Sequence, residues 1–99
     1  MKRTFKIQSG IYKIVNKDNG KVYIGCSTCI LFRWQMHREN LRRRVHSNRY
    51  LQKDWNLYGP SIFEFSLIEY VPFMNDLLKR EKYWIHRYKN SGEIYNIVV

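Results

Sequence analysis

Carboxylates are scarce in this chain. Only 8 Asp and Glu stand against 18 Lys and Arg in 99 residues, a formal net charge of +10 at pH 7. That imbalance favours a polyanionic partner, nucleic acid first and an acidic membrane surface second. Long apolar runs are missing too. No stretch approaches the ~20 residues of a membrane-spanning helix. The start, Met1-Lys2-Arg3-Thr4-Phe5-Lys6, does not lead into the apolar region of a secretion signal. A cytoplasmic protein with no membrane partner is expected. Cysteine is limited to Cys26 and Cys29, and a reducing compartment disfavours a structural disulfide. Repeats, low-complexity tracts and linkers are absent, so residues 1–99 read as a single domain. Its 44% hydrophobic content is enough for a small core.

What is present begins with strand and turn signals. Residues 7–15 are rich in strand formers, and Asn19-Gly20 is a strong hairpin signal before the return strand Val22-Tyr23-Ile24. A two-residue loop at Asn19-Gly20 sets Tyr23 opposite Asn16. Asn16 shares the parity of Tyr12 and Ile14, so both tyrosines project from one face.

Residues 29–43 predict a helix with Thr28 or Ser27 as its N-cap. Residues 48–58 predict a second, with Leu51, Trp55 and Tyr58 spaced i, i+4 and i+7 and Gly59-Pro60 as its stop. Phe63, Phe65, Leu67 and Glu69 alternate with Ser66 and Ile68, which predicts a third strand. Pro72 precedes a long helix over residues 75–88, and residues 93–99 read as a short extended tail. The order β-β-α-α-β-α describes a small α+β domain, a sheet covered by helices.

One carboxylate stands in the wrong place. The long helix has an apolar stripe of Leu77, Leu78, Trp84, Ile85 and Tyr88, and Glu81 falls near its middle at ~100° per residue. Burying a glutamate is costly unless it has a partner. An ion pair with one of the arginines would satisfy it. So would a role as metal ligand or catalytic acid in a site on the sheet. On the first helix, Arg33 and His37 are spaced i, i+4 beside the stripe of Ile30, Trp34 and Leu41. Hydrolysis of a phosphodiester would use such groups. It needs a hard cation on carboxylate oxygen, a guanidinium to meet phosphoryl charge, and a base near the attacking water. One protein carboxylate is compatible with Mg²⁺, which keeps several waters.

Gly10-Ile11-Tyr12 and Tyr23-Ile24-Gly25 resemble the defining motifs of the GIY-YIG nuclease family. Arg33, His37, His46, Glu81 and Asn96 follow in the order that family shows. The resemblance covers nearly the whole chain and is nearest to catalytic domains of phage and intron-encoded homing endonucleases. It implies a three-stranded antiparallel sheet flanked by helices, and Mg²⁺-dependent cleavage of double-stranded DNA, with Mn²⁺ as an alternative. By position, Glu81 would bind the metal and Arg33 would contact the scissile phosphate. Tyr12 would be the candidate general base, with His46 the other contender, and Tyr23 would position water or phosphate. His37 and His46 would assist by hydrogen bonding or proton transfer, and Asn96 would support the site. Relatives often carry serine where this chain has Cys26. Homing relatives usually read sequence with an attached C-terminal DNA-binding domain, so the chain is either the catalytic part of a longer protein, the reading favoured, or a small stand-alone nuclease.

Arg38, Arg42, Arg43, Arg44 and Arg49 form a candidate phosphate-contacting cluster, with Lys21 as an outlying contact. Two other functions are weighed beside the endonuclease. A non-catalytic nucleic-acid-binding module accounts for the arginines and leaves Glu81 unexplained. A zinc- or redox-dependent protein built on Cys26-x-x-Cys29 needs two more ligands. The nearest, His37 and His46, do not have the spacing of an ordinary zinc finger.

Overall fold

The Gly-Ile-Tyr segment forms the middle of the sheet. In the computed structural model, which describes residues 8–97, strand β1 (Gly10–Asn16) lies between β2 (Val22–Ser27) and β3 (Phe63–Tyr70), antiparallel to both. Helices α1 (Ile30–Arg42) and α2 (Arg49–Tyr58) come between β2 and β3, and α3 (Leu77–Ser91) follows β3. The expected order and the three-stranded antiparallel sheet are therefore present. Ile7 and residues 98–99, assigned to the first strand and the tail, lie outside the described residues.

A strand with alternating apolar residues can bury both faces if helices cover both sides. β1 does this. Tyr12 and Ile14 pack with Ile30, Leu41, Leu51 and Trp55 beneath α1 and α2. Ile11 packs with Val22, Ile24, Val71 and Leu77 on the α3 side, joined there by Trp84, Ile85 and Tyr88. Leu78, expected in that stripe, stays exposed; Leu77 is the residue of the first turn that meets the strands. A short 3-10 turn, Met74–Asp76, delays the helix start to Leu77.

The hairpin register differs from expectation. Tyr23 pairs with Ile14, not Asn16. The cause is the Asn16 side chain, whose Oδ1 accepts from the backbone N–H of Asp18 at 2.9 Å and Asn19 at 3.2 Å. Asn16 N–H also donates to Lys21 O at 2.9 Å, which makes residues 17–20 a four-residue loop. The slip is two residues, and side chains alternate with period two. Tyr12 and Tyr23 therefore still share a face.

Two further corrections bear on the site. The register of β3 shifts between Ile11 and Tyr12, so Tyr12 pairs with Leu67 but Ile11 pairs with Glu69. That bulge turns Glu69 away from the Phe63–Phe65 face towards α3, where it accepts from Arg80 Nε and Trp84 Nε1, both at 2.8 Å. At α1, Cys29 is the N-cap and no side chain caps the helix. Ser27 instead accepts the Cys29 N–H at 2.9 Å, and the free Ile30 N–H donates to Gln8 O at 3.0 Å.

Candidate active site

Both glycines beside the tyrosines are forced by close approach. Tyr12 and Gly25 are cross-strand partners, and a Cβ on Gly25 would collide with the hydroxyl end of the Tyr12 ring. A Cβ on Gly10 would collide with the carbonyl oxygen of Glu69 at the bulge of β3. The first contact lets the Tyr12 ring lie across β2 towards α1. The second lets β1 and β3 close on each other where the bulge redirects Glu69.

The Tyr12 ring meets α1 there. Its hydroxyl is 2.6 Å from Nε2 of His37, a helix residue only 6% exposed. Nδ1 of His37 is in turn 2.7 Å from Nε2 of His46, the two imidazoles meeting edge to edge with centroids 4.9 Å apart and planes 23° from parallel. Tyr23 packs edge-on against both histidines. Burial pushes both imidazoles down in pKa. For His37 the value falls to about 3, with His46 and Arg33 adding to the effect. Both rings are therefore neutral at pH 7.

Glu81 reaches the same region from α3. Its carboxyl is half-buried, and burial raises its pKa, opposed by a hydrogen bond from Cys26 and the charge of Arg33. The Cys26 thiol is pushed up to about 11 by burial and by Glu81. Tyr12 and Tyr23 are raised as well, first by burial, with each also feeling Glu81; the charge of Arg33 pulls both down. Groups from β1, β2, α1 and α3 thus share one electrostatic neighbourhood. Of the two phenols, Tyr12 is enclosed at 1% exposure, whereas Tyr23 is only half-buried.

Asn96 is near the site and not aimed into it. Its Oδ1 accepts the Ile24 N–H and its Nδ2 donates to Ile24 O, both at 2.8 Å. The side chain mimics a neighbouring strand and covers the free edge of β2, one residue from Tyr23. Upstream, Tyr95 N–H donates to Val22 O at 2.7 Å, and Ile94 makes a parallel bridge to Val22.

The expected DNA-contacting residues line more than one groove. Arg44 and Arg49 line an open groove with His46, Gln52 and Lys53. Arg38 and Arg42 line a different groove with Trp55 and Phe65, where Arg38 stacks on the Phe65 ring at 4.0 Å and Arg42 pairs with Glu39. Arg43 is exposed at the end of α1. Lys21 lies beside Asn96 and Glu93, over the Tyr95 ring.

Asn48 and Cys26 escaped notice as site residues. Asn48 is buried at the N-cap of α2, and its backbone N–H donates to His46 Nδ1 at 3.0 Å. The sequence signals its cap but not that contact. Cys26, weighed as half of a zinc pair, contacts Glu81, while the histidines weighed as its partners turn towards Tyr12. Among the described residues no three His, Cys, Asp or Glu are grouped to hold a metal. The one carboxylate at the site, Glu81, is compatible with a hard cation that takes its other ligands from water, as Mg²⁺ does. The donor set does not suit a cage of protein ligands such as structural zinc requires. Among the described residues no helix is long and apolar enough to cross a membrane.

This geometry has counterparts. Intron-associated endonuclease 1 of Enterobacteria phage T4 is 38% identical over 92 residues, a match that covers 92% of this chain and 37% of that protein. A probable intron-encoded endonuclease 1 of Neurospora crassa is 31% identical over 97 residues, covering 92% and 30%. The chain thus spans roughly a third of the length of these relatives. Among solved structures, the catalytic domain of homing endonuclease I-TevI superposes with a TM-score of 0.85 at 34% identity, covering 93% of this chain and 100% of that one. A variant of that domain gives 0.83 at 36% identity, covering 92% and 94%. Residues 8–96 match the GIY-YIG catalytic domain, and with both tripeptides on paired strands the chain belongs to that family.

Proposed function

We propose that this chain is the catalytic domain of a homing-type endonuclease that hydrolyses phosphodiester bonds of double-stranded DNA with the help of Mg²⁺, or Mn²⁺ in its place. The observation that carries the reading is the convergence on Tyr12 and Tyr23 of a guanidinium from α1, Arg33, and a carboxylate from α3, Glu81. The basic excess supports a DNA partner. Relatives about three times as long support further parts of the protein outside this domain, which would supply sequence recognition.

Glu81 is the residue that would hold the cation. When bound, a divalent cation supplies charge stabilisation to the phosphoryl oxygens. Arg33 is exposed on α1 and meets the same developing negative charge with paired N–H donors. Tyr12 and Tyr23 hold their protons at neutral pH because burial opposes the phenolate. Tyr23, the more open of the two, orients water or a phosphate oxygen. Tyr12 would accept the proton of the attacking water only as phenolate, its own proton first passing to solvent water; burial is the largest effect against that state, and the charge of Arg33 favours it. Water oxygen then bonds to phosphorus while the bond to the leaving sugar oxygen breaks. A single site of this kind cuts one strand at a time.

Plasmid relaxation tests the reading. The wild-type chain with Mg²⁺ should give nicked circles, EDTA should stop it, and Glu81→Ala should stop it while still folding and binding DNA. If the protein binds DNA, never cuts it with any divalent cation even when extended at its C-terminus, and Glu81→Ala changes nothing, the binding-module reading replaces this one.

A further inference from the structure

The histidine pair can be given a direction. A backbone N–H is only ever a donor. Asn48 N–H donates to His46 Nδ1 at 3.0 Å, so that nitrogen carries no proton. A neutral imidazole has one N–H, which must then be on His46 Nε2. That atom is 2.7 Å from His37 Nδ1, so His37 Nδ1 is the acceptor. The His37 proton is left on Nε2, 2.6 Å from Tyr12 Oη, which accepts it. Resting on the nuclease reading for its catalytic meaning, we infer that Asn48 is a positioning residue. Its N–H sets a one-way chain through His46 and His37 to Tyr12, in which both imidazoles donate towards the phenol and neither takes a proton from the reaction.

Alternative arrangements each lose something. Turning the His46 ring about Cβ–Cγ would place carbons against both Asn48 N–H and His37, giving up two hydrogen bonds. Protonating His37 at Nδ1 would set an N–H against the His46 Nε2–H. The neighbouring charge of Arg33 also opposes an imidazolium at His37, in keeping with the low pKa of that ring. The N–H that starts the chain is itself pinned. The Asn48 side chain accepts from Tyr50 N–H and Leu51 N–H and donates to Tyr95 O at 2.9 Å. His46 is held from its own backbone, whose N–H donates to Gln52 Oε1 at 3.0 Å.

Two chemical consequences follow. His46 has no free ring nitrogen, so it is not the general base. Tyr12 cannot pass its own proton to His37, because that nitrogen already donates. The chain instead places an N–H donor on Tyr12 Oη, a contact that favours its phenolate form over the phenol. Of Tyr12 and His46, the second is thereby removed as a candidate base.

The first test needs no catalysis. Long-range ¹H–¹⁵N correlation on the ¹⁵N-histidine-labelled chain, without DNA, should show His37 and His46 as neutral Nε2–H tautomers at pH 7. A proton on Nδ1 of His46, or a cationic ring at either position, overturns the chain whether or not the protein is a nuclease. The second test is nicking by His46→Gln and His46→Leu. A glutamine amide keeps a donor towards His37. A hydrogen bond to a charged group is worth roughly ten- to hundred-fold, so His46→Leu should lose that much and His46→Gln should recover a substantial part. Equal losses in both would mean that His46 acts as a base and would overturn the inference.

Discussion

The Tyr12 ring lies across the α-carbon of its cross-strand partner Gly25. This contact ties two halves of the family motif together. The glycine is missing a side chain where the tyrosine needs a path to His37. Gly25→Ala should therefore displace the phenol before it does anything else. Overpacking at such a site costs ~1–3 kcal/mol, and a misplaced reacting group costs about a hundred-fold in rate. Urea unfolding with a nicking assay at a temperature where the variant is folded would measure both. A variant that is destabilised yet cuts at the wild-type rate would show that Tyr12 need not lie where it does.

How far the sequence anticipated this structure can be argued from two tyrosines and a glutamate. Their shared neighbourhood was legible because strand parity survives a register slip of two, and because a carboxylate inside an apolar helical stripe is conspicuous. The slip itself was not legible. It depends on the Asn16 side chain competing with the Asn19-Gly20 turn for the backbone, and pattern alone does not rank those. The bulge that turns Glu69 towards α3 was hidden for a similar reason, since an alternating strand gives no sign of one extra residue. The His46–Asn48 contact joins a loop to a helix cap and has no periodicity at all.

Acid should destabilise the protein through His37. Its folded pKa of about 3 lies below the ordinary 6.5, so between those values the unfolded chain binds a proton that the folded chain refuses. Stability from this group is complete above pH 6.5 and is lost as pH falls towards 3, by about 1.4 kcal/mol per pH unit. Thermal melts across that window should show the fall. The slope should flatten in His37→Gln, whose side chain does not titrate. An unchanged slope would place the acid sensitivity elsewhere.

The Cys26 thiol should be slow to react. Its pKa of about 11, against an ordinary 9.0, leaves roughly a hundred-fold less thiolate at neutral pH than in the unfolded chain. Disulfide exchange with an aromatic disulfide reagent, measured on Cys29→Ser so that one thiol remains, should be roughly ten-fold slower in the folded protein, because the more basic thiolate is also the better nucleophile. Glu81→Ala should speed it, because the carboxylate is one of the groups holding the proton on sulfur. Equal rates in the two proteins would separate Cys26 from Glu81.

The basic residues should divide by salt dependence. Each phosphate neutralised on duplex DNA contributes close to one unit to the slope of log affinity against log salt. Arg44 and Arg49 border the groove that opens at His46, so Arg44→Ala and Arg49→Ala should each lower that slope by about one. Arg42 already pairs with Glu39, so Arg42→Ala should lower it less. Equal slopes for all three variants would mean that the duplex does not lie along α2.

Asn96 offers the sharpest contrast between holding and reacting. Both of its amide contacts go to the backbone of Ile24, on the free edge of β2. Removing them exposes two backbone groups and should cost ~1–3 kcal/mol in Asn96→Ala. Asn96→Asp keeps the acceptor for the Ile24 N–H but sets a carboxylate against the Ile24 carbonyl, so it should be no more stable than the alanine variant. If the residue only braces the strand that carries Tyr23, each variant's activity should track its stability and return on cooling. A variant that is fully folded and still inactive, with DNA affinity unchanged, would instead put the Asn96 amide in contact with the reacting groups.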